Sequence, residues 1–118
     1  MGQGPVFPVA GADSGPIRLA ADSQEDGYYP IKTLWVAPPG FMGDVLVRGL
    51  TVPDGTPLRF SAGFAEQADV LQINWPRSKE AEWREWASFT WVPGSGCFQW
   101  QVDTADATLT VVFEATLD

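Results

Sequence analysis

Three groups of side chains in this 118-residue chain have types that could do chemistry. The first is DSQEDG at 22–27, which puts Asp22, Glu25 and Asp26 on one loop. These are hard oxygen ligands, but calcium needs a larger oxygen set in a defined arrangement. The loop lacks the alternating acidic positions of an EF-hand, so a solvated turn is expected. The second group is Glu80, Glu82 and Glu85, interleaved with Arg77, Lys79 and Arg84. Two carboxylates cleave a glycosidic bond only at a set separation across a cleft. This run reads instead as the mixed charge of a short helix, whose i,i+4 pairs each add a few tenths of a kcal/mol. The third is Ser95 in PGSGC, which looks like a nucleophile elbow but lacks the strand-to-helix context. The chain has no histidine. That removes Ser-His-Asp and Cys-His relays, His-ligated metals and the usual switch near neutral pH. Cys97 is the only cysteine, so neither an intrachain disulfide nor a cysteine zinc site can form. A free cysteine usually behaves as a small buried hydrophobe, so a slowly reacting thiol is expected. No catalytic residue, metal ligand or cofactor is assigned.

The remaining candidates are aromatic. The stretch EWREWASFTWVPGSGCFQWQVD, residues 82–103, holds four of the six tryptophans. Trp100 and Phe98 alternate with glutamines in a strand-like run and are expected in the core. Each such side chain brings roughly 150–250 Å² of burial. Trp83 and Trp86 flank Arg84 and Glu85, and Trp75 precedes Pro76. With Tyr28 and Tyr29, these three tryptophans form the candidate interaction surface. It would serve either a protein partner or a carbohydrate; the bland alternative is that the tryptophans cap one end of the fold.

The elements that must position these groups are strands. Glycine and proline together make up 22 residues, so turns are dense and long helices few. Ile17 and Leu19 alternate with Arg18, Val45 and Val47 with Leu46 and Arg48, and Leu71 and Ile73 with Gln72 and Asn74. Leu58, Phe60 and Ala62 oppose Arg59, Ser61 and Gly63, and Phe89 and Trp91 oppose Ser88 and Thr90. Phe98, Trp100 and Val102 share one face, as do Leu109, Val111 and Phe113. This is the two-residue period of half-buried strands. Ile31, Leu34, Trp35 and Val36 are dense enough for a strand buried in part on both faces. Seven or eight strands with regularly spaced turns predict an all-β antiparallel sandwich, immunoglobulin-like or jelly-roll-like. At most one short helix is expected, near 77–86. Residues 1–14 read as a flexible arm with a short edge strand at PVFPV, and 15–118 as a single domain of ordinary size.

Charge bounds the partners. The net charge is −8, with only seven lysines and arginines. Phosphate backbones are bound through basic side chains, so nucleic acid and anionic membranes are poor partners. No apolar run reaches the length of a membrane span, so no membrane insertion is expected. The start, MGQGPVFPVAGADSGP, has neither the basic nor the continuous apolar region of a signal peptide.

Three segments resemble a family of uncharacterised bacterial proteins, often secreted or lipoprotein-like. In that family a W-R-[DE]-[WY]-x-S-[FY]-T segment precedes G-C-[FY]-x-[WY]-Q-[VI]-D, and a V-x-F-x-A strand closes the domain. Here they read Trp83 to Thr90, Gly96 to Asp103, and Val111 to Ala115. YPIKTLWVAPPG is similar to the family's first core strand, so the resemblance spans residues 28–115. Ala87 departs from it, standing where the pattern has proline. The resemblance implies a β-sandwich and an extracytoplasmic setting, and it carries no activity or site residue. Together these readings predict a non-catalytic binding or assembly module with a protein partner or a second copy of itself. The alternative is a carbohydrate-binding module using exposed Trp and Tyr rings.

Overall fold

A computed structural model describes residues 6–10, 15–41, 43–62, 66–74 and 83–117. Nine strands run in chain order: β1 (Phe7–Ala10), β2 (Ile17–Leu19), β3 (Tyr29–Ala37), β4 (Asp44–Val52), β5 (Arg59–Ser61), β6 (Leu71–Asn74), β7 (Arg84–Val92), β8 (Gly96–Asp103) and β9 (Thr108–Leu117). They form a four-stranded sheet ordered β1-β3-β7-β5 and a five-stranded sheet ordered β2-β9-β8-β4-β6. The chain is therefore the expected all-β sandwich. All pairings between strands are antiparallel except β2 with β9, which run parallel. Among the described strands, only the β8–β9 hairpin connects neighbours within one sheet; each other connection crosses to the opposite sheet.

The two-residue period sets the inner faces of the five-stranded sheet. Val45 and Val47, Leu71 and Ile73, Phe98, Trp100 and Val102, and Val111 and Phe113 all point into the core, as their alternation predicts. Directly paired residues share a face, so Phe98 meets Phe113 and Trp100 meets Val111. The Trp100 ring stacks on Phe113 at 3.8 Å and stands edge-on to Trp35 of the other sheet at 5.7 Å. Gly49 lies opposite Trp100 on β4. A Cβ there would come within 2.8 Å of Leu58 Cδ1 and 3.2 Å of the Gln99 carbonyl, so only glycine admits this packing. Leu58 itself is fully buried.

The inner face of β7 is unusual, because its buried residues include Ser88 and Thr90. The reason is hydrogen bonding to the indoles. Trp100 Nε1 donates to Thr90 Oγ1 at 3.2 Å, and the Thr90 and Thr33 hydroxyls lie 3.0 Å apart. Thr33 donates to the Ile31 carbonyl, so Thr90 is left to donate to Thr33, and every proton in this chain has an acceptor. A second chain runs from Trp35 Nε1 to Ser88 Oγ at 3.1 Å and on to the Thr33 carbonyl. A buried indole N–H needs an acceptor, and these hydroxyls supply it.

Three expectations are corrected. The helix expected near 77–86 falls mainly on residues outside those described, but Arg84–Trp86 opens β7. The Glu and Arg content that favoured a helix instead alternates across a strand, with Trp86 inward and Glu85 outward. The only described helical turn is a 3-10 turn at Ala21–Ser23. Cys97 is exposed rather than buried: the Phe98 side chain enters the core, so Cys97 beside it on β8 lies on the outer face of the five-stranded sheet. Ala62 is exposed, because the inward alternation of Leu58 and Phe60 ends with β5 at Ser61. In the N-terminal arm, β1 pairs with β3 as an edge strand, and Val6 and Ala10 lie in the core. Pro8 is at home there, since an edge strand leaves one row of backbone donors unpaired.

Candidate functional site

The register of the four-stranded sheet places its outer side chains in rows. Phe7, Val36 and Glu85 form one row, Val9, Leu34 and Ala87 the next, then Lys32, Phe89 and Ser61. Pro30, Trp91 and Arg59 follow. Beyond the start of β7, Trp83 stands edge-on to Phe7, with centroids 6.0 Å apart. Trp83 is 58% exposed and Val9 48%. At the β5 end the face closes: Trp91 Nε1 donates to Ser61 Oγ at 2.8 Å and both residues are buried. At the β1 end it stays open. Across β1, β3 and the start of β7, Phe7, Val9, Leu34, Val36 and Trp83 form an apolar patch two rows deep.

The outer face of the five-stranded sheet is chemically different. Gln99, Gln101, Asp103, Thr108, Thr110, Glu114 and Gln72 dominate it, with the exposed Leu46, Val70 and Val112 dispersed among them. Asp103 gathers three donors. Arg48 Nη2 donates to it at 2.8 Å, Thr108 Oγ1 at 2.8 Å, and Gln101 Nε2 at 3.0 Å. The Arg48 hydrogen bond first, then those of Thr108 and Gln101, hold its carboxyl below the usual carboxylate range.

The five aromatic candidates do not share a face. Trp83 lies on the apolar patch. Trp86 pairs with Trp35 across β3 and β7, so it faces the interior and packs, half-buried, against the core. Arg84 also faces inward and donates to the Phe41 carbonyl at that end of the sandwich. Tyr28 is covered by the Arg59 guanidinium, 4.1 Å from its ring centroid. Tyr29 packs against the core, and its hydroxyl accepts from Gln24 Nε2 at 3.3 Å. Tyr29 is paired with Val92, six residues along β3 from the Trp35–Trp86 pair, or about 20 Å. Trp75 lies outside the described residues. The patch residues that the tryptophan cluster did not point to are Phe7, Val9, Leu34, Val36 and Phe89. A sequence signal for them exists in YPIKTLWVA, where Leu34 and Val36 repeat the apolar character of Ile31 and Trp35 on the opposite parity.

The other chemical candidates have structural roles. Ser95 Oγ accepts from the Leu117 backbone N–H at 2.8 Å and ties the β7–β8 turn to the end of β9. Glu25 and Tyr28 exchange backbone hydrogen bonds around Asp26 and Gly27. Both central residues have positive φ, as a tight hairpin turn requires. Among the described residues, no three His, Cys, Asp or Glu side chains converge on a common point. No helix is long and apolar enough to cross a membrane, among the same residues. No protein-family model matches the chain, and no curated protein matches it in sequence.

Proposed function

We propose that this chain is a non-catalytic β-sandwich module that binds or assembles with protein through the outer face of its four-stranded sheet. The observation that carries this is the asymmetry of the two outer faces. One carries its exposed apolar residues, Leu46, Val70 and Val112, dispersed among polar side chains, while the other brings Phe7, Val9, Leu34, Val36 and Trp83 together on adjacent strands. Covering such a patch removes apolar surface from water at about 25 cal/mol per Å². An aromatic flanked by aliphatic residues is also the composition of an interface centre. A carbohydrate platform of stacked rings has less support, because Trp86 and Tyr29 pack against the core and Arg59 covers Tyr28.

The test uses Val9→Lys and Trp83→Lys. Removing residues 1–14 would be less clean, because Val6 and Ala10 would leave the core with them. Sedimentation over a range of concentrations, together with affinity purification of the tagged chain, should reveal self-association or a retained protein. Either lysine should abolish it while leaving the melting temperature nearly unchanged. A wild-type chain that stays monomeric and retains no protein, as its lysine variants do, would sink the proposal.

A further inference from the structure

The polar sheet carries a concavity of about 280 Å³ that the apolar face does not involve. Its origin lies at the edge of β4 that faces away from β8. β6 pairs with that edge only as far as Val47. From Gly49 onward the edge is held by the returning hairpin instead: Leu58 N donates to the Gly49 carbonyl and Thr51 N to the Thr56 carbonyl. The two segments part beside Arg48 and leave a notch. Its floor is two cross-strand pairs, Arg48 with Gln101 and Leu50 with Gln99. Its walls are Pro57 on one side and Asp69 and Val70 on the other.

We infer that this notch binds an uncharged, polyhydroxylated ligand about the size of one sugar ring. A concavity of this volume suits a ligand of about one ring. The donor and acceptor set is mixed. The Gln99 amide, which offers two donors and an acceptor, is not tied to another described side chain. Gln101 commits its donors to Asp103 and keeps its carbonyl oxygen as an acceptor. Arg48 spends Nη2 on Asp103 and retains its other donors, while Asp69 adds an acceptor. A hydroxyl both donates and accepts, so neighbouring hydroxyls match this alternation. An anion would meet Asp69 and Asp103 within a chain of net charge −8, and a cation would meet Arg48. An uncharged ligand meets neither penalty. Leu50, Pro57 and Val70 give aliphatic surface for the C–H groups of the ring. Because the floor is built on two central strands, the polar groups are held in place before binding.

The experiment is an amide-resolved NMR titration with glucose, mannose, galactose and N-acetylglucosamine, and with glucuronate and glucosamine as charged counterparts. At least one neutral sugar should give saturable shifts at 48–50, 69–70 and 99–101, with a dissociation constant in the millimolar range. Gln99→Ala should weaken binding roughly fivefold or more, the loss of one net hydrogen bond. Its spectrum away from the notch should match the wild type, and Leu50→Glu, which fills the floor with charge, should abolish binding. Trp83→Lys should bind as the wild type does, which separates this site from the apolar face. Three outcomes overturn the inference: no saturable shift at these residues with any neutral sugar at tens of millimolar, tighter binding of a charged counterpart than of its neutral parent, or unchanged affinity in Gln99→Ala.

Discussion

Replacing Thr90 by valine keeps the shape of the side chain and removes one oxygen from the middle of the core. That oxygen accepts the Trp100 indole proton at 3.2 Å and lies 3.0 Å from the Thr33 hydroxyl. Trp100 and Thr90 are both fully buried, so no water can replace the lost acceptor. An orphaned buried donor costs about 1–3 kcal/mol, and a lost neutral hydrogen bond about 1 kcal/mol. Thr33 keeps its bond to the Ile31 carbonyl, and the added methyl recovers part of the loss. The net expectation is a destabilisation of about 2–3 kcal/mol. At roughly 4 °C per kcal/mol for a domain of this size, the melting temperature should fall by about 8–12 °C. Urea titration followed by tryptophan fluorescence measures the first quantity, and calorimetry the second. The same change on a Trp100→Phe background should cost only about 1 kcal/mol, because the indole donor is already gone. The cycle should therefore return a coupling of about 1–2 kcal/mol. A Thr90→Val protein as stable as the wild type, or one with the same cost on both backgrounds, would refute the reasoning that the indole needs this hydroxyl.

Other perturbations have separable outcomes. Trp83→Ala should change stability by no more than about 0.5 kcal/mol, as exposed sites do. Trp86→Ala should cost about 2–4 kcal/mol, since Trp86 packs against the core opposite Trp35; equal losses at the two positions in denaturant titrations would contradict their opposite facing. Gly49→Ala should destabilise by about 1–3 kcal/mol, because its methyl meets the fully buried Leu58 and the Gln99 carbonyl; an unchanged urea midpoint would mean that Leu58 can move aside. Cys97 should react fully and rapidly with DTNB in the native state, since it is exposed; labelling that needs denaturant would place it on the wrong face. The Asp103 carboxyl is lowered in the folded chain. Its contribution to stability is therefore present above the unfolded value, about pH 4, and is lost as pH falls through the lower folded value. Asp103→Asn should flatten that acid limb in urea midpoints measured against pH, and an unaltered limb would count against the Arg48 pairing.

The fold was legible wherever one parity was apolar and the other polar. That pattern placed Val45, Val47, Leu71, Ile73, Phe98, Trp100, Val102, Val111 and Phe113 inside without any knowledge of pairing. At β7 the alternation does not say which face is inward: the polar parity, Ser88 and Thr90, turns inward to serve two indoles, and Phe89 turns outward. Nothing local distinguishes these cases, because the acceptors matter only once Trp35 and Trp100 arrive from distant strands. Cys97 was misjudged for a related reason: alternation set it opposite Phe98, but which outer face stays uncovered is a property of the assembled sandwich. The candidate site was half legible. Trp83 stood out by type, while Phe7 and Val9 acquire meaning only through their register with Val36 and Leu34.

Because nearly every connection changes sheets, the strands wait for one another during synthesis. β3 finds β1 already made, but its long partner β7 ends 63 residues after β3 begins, as the Tyr29–Val92 pair shows. At the usual ~5–20 residues per second, YPIKTLWVA, complete at Ala37, is made about 3–11 s before that partner is complete at Val92. Over that interval an apolar edge of nine residues is without its main neighbour, and pairings between strands so distant in sequence form slowly. The yield of folded protein should therefore depend on temperature and on chaperone supply more than on the stability of the finished sandwich, and Lys32, the one charge in β3, stands as its gatekeeper against pairing between nascent chains.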